Sequence, residues 1–206
     1  MLVLVLYLVI VFVAAGQRPL AFLGRMKDLQ LLAFSTSSSA AVMPLSIKTA
    51  EENFGVRPSV SQFVIPLGAT INMNGTALYQ GVATVFLAQV YGIDLEIGTL
   101  TLVVLTAVAA SIGSPATPGV GIVILAMVLD SAGIPASGIG LIIGVDRILD
   151  MSRTAVNVTG DLVAAILIDR HTLGSSAEDQ HAADSLHEEQ RAALGTDVII
   201  TDDVAE

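Results

Sequence analysis

The segment spanning residues 138–168 is rich in apolar residues, yet it carries a stripe of polar side chains at helical spacing. The members of this stripe are Asp146, Asp150, Arg153, Thr154, Asn157 and Asp161. At about 100° per residue, they all fall within an arc of about 100° on one helix face. Each charged group turned towards lipid would cost about 2.5–3.5 kcal/mol. This face must therefore point towards protein or water inside a bundle of helices.

The composition of the chain indicates a membrane protein. Hydrophobic residues make up 53% of the 206 residues and charged residues 14%, with a mean hydropathy of +0.77. This is too apolar for a water-soluble domain of this length. A chain without Cys excludes disulfides, thiolate metal sites and a cysteine nucleophile, and the net charge of −10 argues against a nucleic-acid partner. Residues 171–206 hold nine acidic residues against one basic residue, which predicts a disordered cytoplasmic tail.

Three other apolar segments are interrupted by polar or helix-breaking residues. A serine run at residues 35–39 divides the first, and Pro115 and Pro118 divide the segment at residues 100–129. We predict a re-entrant helical hairpin at each, because non-helical backbone at membrane depth is tolerated only where protein or water surrounds it. Between the hairpins, the sequence GATINMNGT at residues 68–76 predicts unwound backbone in the middle of a span.

Basic residues in the loops predict the topology. Residues 16–28 hold three Lys or Arg, residues 48–57 hold two, and Arg170 follows the last span, whereas residues 91–98 and 130–138 hold none. The positive-inside rule then gives two hairpins of opposite polarity, each followed by a span, which is an inverted repeat typical of secondary transporters.

The predicted fold class is an all-α polytopic membrane protein. Its predicted parts are the end of a truncated transmembrane helix (1–15), a cytoplasmic loop and inner re-entrant hairpin (16–58), a transmembrane helix with an unwound centre (59–90), an external loop and outer re-entrant hairpin (91–137), the last transmembrane helix with the polar stripe (138–170) and the acidic tail (171–206).

The chemistry of the stripe suggests its ligands. One Arg and several carboxylates beside free carbonyls and hydroxyls suit a zwitterion with an extra negative charge, together with small hard cations such as Na⁺. The guanidinium of Arg153 can hold a carboxylate with two hydrogen bonds, and Asp150, one turn earlier, can bind an ammonium group. Oxygen ligands for Na⁺ would come from residues 68–76, Asn157 and Asp161.

Four ordered motifs carry a family resemblance: AFSTSSSAAVMPL, PLGATINMNGTALYQG, ASIGSPATPGVG and ILDMSRTAVNVTGD. They resemble the signature segments of the dicarboxylate/amino acid:cation symporters, the glutamate transporter family, and the resemblance extends to about residue 170. It implies a transport domain that slides like an elevator against a trimeric scaffold, which the family builds from an N-terminal half.

The resemblance also implies site residues. The implied substrate contacts are Ser38, Ser39, Thr76, Thr117, Gly119, Asp150, Arg153, Thr154 and Asn157. One implied sodium site uses Gly68, Asn72, Asn157 and Asp161, and a second uses Thr70, Met73, Ser111, Ile112 and Ser114. Asn74 stands where the family usually has an Asp that belongs to a third sodium site, so that site is in question here.

The sequence therefore predicts sodium-coupled symport of glutamate or aspartate in a cell membrane, by a homotrimer surrounded by lipid. A dicarboxylate or neutral amino acid symporter of the same family remains an alternative, as does a membrane fragment that does not transport. An enzyme is not expected, because the three aspartates of the stripe share one helix and all three His lie at or beyond residue 171.

Overall fold

The computed structural model describes residues 2–172, and the predicted acidic tail lies outside the described residues, apart from its first two positions. The described residues are helical and contain no strand, which confirms the predicted all-α class. The helices are α1 Leu2–Ala15, α2 Pro19–Arg25, α3 Lys27–Thr36, α4 Ser39–Phe54, α5 Pro58–Ile71, α6 Asn74–Tyr91, α7 Ile97–Ser111, α8 Val120–Ser131, a 3₁₀ turn Ala136–Gly138 and α9 Ile139–Thr172.

Helices α3 and α4 pack against each other and are joined by two residues, Ser37 and Ser38, which we call the serine tip. Ser37 adopts a left-handed conformation with φ of 54°. Ser38 caps α4, because its Oγ accepts a hydrogen bond from the Ala41 backbone N–H at 3.2 Å. The serine run thus turns the chain back on itself within two residues.

Helices α7 and α8 form a second packed pair, joined by residues 112–119, which we call the proline tip. Gly119 precedes α8 with φ of 80°, a conformation that residues other than glycine rarely adopt. The third interruption is narrower than the nine residues predicted. Helix α5 continues through Ile71 and α6 begins at Asn74, so only Asn72 and Met73 lie between the two helices.

Helix α9 packs into two separate apolar clusters of the described structure. Its C-terminal part packs, through residues such as Leu162 and Ile166, into an apolar cluster with α1 to α5. Its N-terminal part contributes Ile142 to a second cluster with α6 and α8. The polar stripe lies between these two apolar contacts, so the packing of α9 itself directs the stripe into the protein.

By length and composition, one described helical segment is sufficient to cross a membrane, Ala136–Thr172. A second candidate is the pair Val3–Ala15 and Pro19–Arg25, which bends by 107°. Many large apolar side chains on the outside are exposed, among them Val13 at 75%, Phe63 at 68% and Val123 at 65%. Such extended apolar surface needs a nonaqueous environment or further protein to cover it.

An ion pair fixes the cytoplasmic end predicted for α9 to the start of α5. The Arg57 Nε donates to Asp169 Oδ1 at 2.7 Å, and the Arg57 backbone N–H donates to the same oxygen at 3.3 Å. The Asp169 side chain is 10% exposed and the Arg57 side chain 24%, so this pair is largely but not fully removed from water. Arg57, which sequence analysis used only as a topology marker, therefore also has a structural partner.

We expect Asp169→Asn to destabilise the fold by about 2 kcal/mol, because it removes the charge from a largely buried hydrogen-bonded pair. For a chain of this size that corresponds to a melting midpoint lower by about 4–8 °C, measured in detergent by loss of the monodisperse peak on heating. The control is Glu52→Gln, which breaks the exposed Lys48–Glu52 pair at 3.8 Å and should leave the midpoint within about 1 °C. Equal midpoints for the two variants would contradict a structural role for the Arg57–Asp169 pair.

Candidate functional site

The polar stripe of α9 is buried. Its six members, from Asp146 to Asp161, are between 2% and 7% exposed. Three carboxylates and a guanidinium therefore lie inside the protein, where each needs a partner of opposite charge, a hydrogen-bond partner or a ligand.

A polar cavity lies where the stripe meets both tips and the break between α5 and α6. The predicted substrate residues that line it are Ser39, Thr76, Thr117, Asp150, Arg153, Thr154 and Asn157, joined by Met73 and Ser114 from the second predicted sodium set. The volume of the cavity is about 20 Å³, which has room for about one water molecule. An organic ligand therefore cannot enter unless the walls move.

The two tips contact each other directly at this cavity. The Ser38 Oγ donates to the Ala116 carbonyl at 2.8 Å, and the Ala40 backbone N–H donates to the same oxygen at 3.3 Å. Of the predicted substrate residues, Ser38 and Gly119 do not line the cavity. Ser38 is occupied by the contact between the tips and by its capping role, and the Gly119 N–H donates to Asp150 Oδ2 at 2.9 Å. Ser38 and Gly119 therefore hold residues that line the cavity, Ala116 and Asp150, without lining it themselves.

The guanidinium of Arg153 is held by an ion pair with Asp150, whose other oxygen receives the Gly119 hydrogen bond. The two charged side chains are only 5% and 4% exposed. The Tyr79 ring lies against the guanidinium, with its centroid 5.0 Å from Arg153 Cζ, which is cation–π geometry. Arg153 Nη1 is buried without a hydrogen-bond partner, so the guanidinium still has donors available for a ligand.

Gly121, which sequence analysis missed, lies directly against Arg153. A Cβ placed on Gly121 would overlap the guanidinium, at 2.5 Å from Cζ and 2.6 Å from Nη2. The Gly121 carbonyl in turn accepts a hydrogen bond from Gln80 Nε2 at 2.9 Å. The start of α8 thus forms one wall of the arginine site, and only glycine leaves the necessary space. The glycines of the motif ASIGSPATPGVG were the sequence signal, although they do not single out this residue.

The first predicted sodium set comes together around Asp161. Asn72 Nδ2 donates to Asp161 Oδ1 at 3.0 Å, and a Cβ on Gly68 would lie 2.6 Å from that same oxygen. Asp161 is 2% exposed and has no ion-pair partner among residues 2–172. Asn157 lies one turn before Asp161 on α9, and its Oδ1 accepts a hydrogen bond from the Gly75 N–H at 2.7 Å. A buried carboxylate without an ion-pair partner among the described residues fits a small hard cation.

The second predicted sodium set lies at the proline tip. The Gly113 N–H donates to the Thr70 carbonyl at 2.7 Å, which brings Thr70 next to Ser111, Ile112 and Ser114. Ser114 Oγ donates to the Ser111 carbonyl at 3.0 Å. Met73 belongs to the neighbouring break, where its sulfur accepts a hydrogen bond from Asn157 Nδ2 at 3.2 Å. The part of the chain that the structure describes has no group of three or more His, Cys, Asp or Glu suited to a metal, so a cation here would be bound mainly by carbonyl, amide and hydroxyl oxygens.

Asn74 takes part in a neutral hydrogen-bonded cluster with α1. Its Nδ2 donates to the Tyr7 hydroxyl at 2.7 Å and to Asn72 Oδ1 at 2.5 Å. The Tyr7 hydroxyl and Asn72 Nδ2 also fill the space where a Cβ on Gly160 would stand. Sequence analysis did not select Tyr7, although its hydroxyl is a single polar group in an otherwise apolar run and could have indicated a polar contact.

The model of the family described as "Sodium:dicarboxylate symporter family" matches residues 1–171. A Caenorhabditis elegans protein, glt-4, whose name describes a sodium-dependent excitatory amino acid transporter, is 51% identical over 158 residues, 77% of this chain and 32% of the relative. Excitatory amino acid transporter 1 of Homo sapiens is 40% identical over 198 residues, 95% of this chain and 36% of the relative. Excitatory amino acid transporter 4 of Mus musculus is 42% identical over 160 residues, 78% of this chain and 28% of the relative.

The chain spans about a third of the length of these curated relatives. The match nevertheless includes helices α1 to α8, both tips and α9 up to residue 171. It makes the chain a membrane protein of a transporter family rather than an enzyme, and Na⁺ is the coupling ion of that family. The chain therefore belongs to the sodium:dicarboxylate symporter family.

Proposed function

We propose that this chain carries the substrate and cation sites of a sodium-coupled symporter for an acidic amino acid, glutamate or aspartate, in a cell membrane. The observation that supports this most directly is the buried Asp150–Arg153 pair beside the cavity between the tips. An acidic amino acid carries an ammonium group and a side-chain carboxylate. Those two groups can replace the internal ion pair with two new pairs, so that neither buried charge is left uncompensated.

In this proposal Arg153 binds the side-chain carboxylate and Asp150 the amino group, with Thr76, Thr154 and Asn157 as further polar contacts. The backbones of the serine tip and the proline tip, with Ser38, Ser39, Thr117 and Gly119, surround the main-chain carboxylate. Since the cavity has room for about one water molecule, substrate binding requires the tips to separate. The hydrogen bonds from Ser38 and Ala40 to the Ala116 carbonyl are the ones that break.

The cation sites of the proposal follow the two oxygen-rich sets. One Na⁺ binds at Gly68, Asn72, Asn157 and the Asp161 carboxylate, where it supplies the positive charge that this buried group lacks among the described residues. The second binds at Thr70, Met73, Ser111, Ile112 and Ser114. Asn74 offers an amide in place of a charge and is already hydrogen-bonded to Tyr7, so we infer that a third site, if formed, is weak in this protein.

The helix pairs α3–α4 and α7–α8 act in this proposal as re-entrant hairpins of opposite polarity. Helices α3 and α8 have 10 and 12 residues, about 15 and 18 Å, which is too short for a hydrocarbon core of about 30 Å. The hairpin segments 16–58 and 91–137, each with the span that follows it, then form the two halves of an inverted repeat. With the spans at 1–15, 59–90 and 138–170, they slide as one elevator-type transport domain of a homotrimer whose C-terminal tail, residues 171–206, is cytoplasmic.

The test is uptake by the complete protein bearing this sequence, reconstituted in proteoliposomes. We expect radiolabelled glutamate or aspartate to accumulate with an inward Na⁺ gradient, and accumulation to stop when choline replaces Na⁺ or an ionophore collapses the gradient. Unlabelled succinate and alanine serve as competitors. If either competes better than unlabelled glutamate and aspartate, the substrate assignment is wrong. If the rate of uptake does not depend on the Na⁺ gradient, the assignment of sodium coupling is wrong.

The close contact between Gly121 and the Arg153 guanidinium allows a test of the proposed substrate site. We expect Gly121→Ala to weaken binding of acidic amino acids about 30-fold, because the new methyl group would occupy the position of the Arg153 guanidinium. Alanine has the higher helix propensity, so the backbone gives no reason for a loss. Isothermal titration with aspartate measures the change in Kd.

The matched control is Gly81→Ala, in the middle of α6, where a Cβ would meet no atom within 4 Å. We expect its Kd to stay within twofold of the parent. A Gly121→Ala variant that binds aspartate as tightly as Gly81→Ala would show that the guanidinium does not need this space.

A further inference from the structure

Asp146 is a buried charge to which the proposed binding of substrate and cations gives no role. It belongs to the polar stripe of α9 and is 7% exposed, but it does not line the cavity. Among residues 2–172 it has no ion-pair partner. Its hydrogen-bond partner is the Tyr79 hydroxyl, which donates to Asp146 Oδ1 at 2.8 Å. A buried carboxylate that is neither paired nor facing the cavity calls for an explanation.

Tyr79 connects this carboxylate to the substrate arginine. Its hydroxyl points to Asp146, and its ring centroid lies 5.0 Å from Arg153 Cζ. A phenol that donates a hydrogen bond to a carboxylate is more electron-rich than a free phenol, because the acceptor draws the hydroxyl proton towards itself. An electron-rich ring attracts a guanidinium more strongly. Asp146 thus acts on Arg153 through the Tyr79 ring rather than by contact.

The guanidinium needs this support when the ligand is bound. In the structure, the ion pair with Asp150 helps to fix its orientation, together with the wall at Gly121. In the proposed function the substrate amino group takes Asp150, and that restraint on Arg153 is lost. The Tyr79 ring, held in place by Asp146, then remains as the side chain that supports the guanidinium from behind.

We propose that Asp146 and Tyr79 are a pair of positioning residues that orient the Arg153 guanidinium and thereby favour acidic over neutral amino acids. The selectivity part of this inference rests on the proposed function. The orientation of Arg153 does not, so the two parts have separate readouts.

The first experiment measures Kd for aspartate and for serine by isothermal titration of the complete protein. Tyr79→Phe keeps the ring and removes the hydroxyl, and Asp146→Asn keeps the shape and removes the charge. We expect each to weaken aspartate binding about tenfold and to leave serine binding within twofold, because a neutral side chain does not engage the guanidinium. The double variant should be no weaker than either single variant, since both remove the same hydrogen bond.

Two controls are matched to these changes. Tyr91→Phe removes a tyrosine hydroxyl that lies 3.1 Å from Ser137 Oγ, at the far end of α6, and Asp130→Asn neutralises an exposed carboxylate on α8. Both should leave the aspartate-to-serine ratio unchanged. Equal losses for aspartate and serine in the Tyr79 and Asp146 variants, or losses that add in the double variant, would overturn the proposal.

The second experiment needs no ligand. The protein carries Asp150→Asn, which removes the ion pair to Arg153 as the proposed substrate would, and is labelled with ¹⁵N-arginine. A guanidinium held on several sides rotates slowly about its Nε–Cζ bond and gives separate Nη signals, assigned to Arg153 by their loss in Arg153→Lys. We expect these signals to merge in Tyr79→Phe and Asp146→Asn but not in Tyr91→Phe. Unchanged spectra would refute the orienting role. Merged spectra, together with a parent protein that binds no acidic amino acid, would support that role and refute the proposed substrate instead.

Discussion

Replacement of Arg153 by glutamine should weaken binding of glutamate and aspartate by about 1,000-fold while neutral amino acids still bind. In the proposed site the substrate carboxylate has no other positively charged partner, because the remaining charged groups of the stripe are the carboxylates of Asp146, Asp150 and Asp161. Loss of one member of a buried charge pair typically amounts to about 4 kcal/mol, which is a factor of about 1,000 in Kd. Competition titration against labelled aspartate measures this range.

The matched control for this prediction is Arg147→Gln. Arg147 lies on the same helix, fewer than two turns before Arg153, but it is exposed and its Nη2 donates to the Ser35 carbonyl at a long 3.5 Å. We expect less than a twofold change in aspartate binding from this variant. If Arg153→Gln retains aspartate binding within tenfold of the parent, the substrate carboxylate binds elsewhere and the assignment of an acidic amino acid loses its main support.

The two variants also differ in what happens without substrate. Arg153→Gln leaves the Asp150 carboxylate with the Gly119 N–H as a remaining partner. Its buried charge is then poorly compensated, so the protein without ligand should melt earlier than the parent. Arg147→Gln should not change the melting midpoint. Retained binding of neutral amino acids separates lost substrate contacts from a generally damaged fold, because a damaged fold would also lose these ligands.

Sequence periodicity could predict the polar face of α9, because helical geometry alone determines which of its residues share a face. The interruptions near Ser37, Met73 and Pro118 were equally predictable, since proline, glycine and hydrogen-bonding side chains act on the local backbone. The width of the break between α5 and α6 could not be predicted in this way. Helix α5 continues to Ile71, because propensity is a weak guide where tertiary packing holds the backbone helical.

The contacts that orient the site lie beyond the reach of one sequence. Tyr79 and Asp146 are 67 positions apart, and nothing in the local pattern of either residue indicates the other. Gly121 is one of 18 glycines in the chain, and its importance depends on where the Arg153 side chain lies in space. Residue types and spacing therefore supplied the candidates, whereas the structure supplied the pairs among them.

Asp161→Asn should separate the cation site from the substrate site. The change keeps the shape of the side chain and an oxygen that can accept the Asn72 hydrogen bond, but it removes the charge that a bound Na⁺ would neutralise. We expect the Na⁺ concentration for half-maximal aspartate binding to rise about 100-fold, which corresponds to a loss of about 3 kcal/mol of cation binding. Titration of aspartate binding against NaCl, at constant ionic strength with choline chloride, measures the shift.

Although Asp161→Asn should weaken Na⁺ binding, the same change should stabilise the folded protein when sodium is absent. Asp161 is 2% exposed without an ion-pair partner among residues 2–172, so in choline its charge destabilises the fold, and a neutral amide removes that penalty. The Asp161→Asn variant should therefore melt later than the parent in choline and gain little from added Na⁺, whereas the parent should gain markedly, because a ligand that binds only the folded state raises its stability. Asp130→Asn, at an exposed carboxylate, should behave like the parent in both salts. A variant that melts earlier in choline and is still stabilised by Na⁺ as the parent is would place the cation away from Asp161.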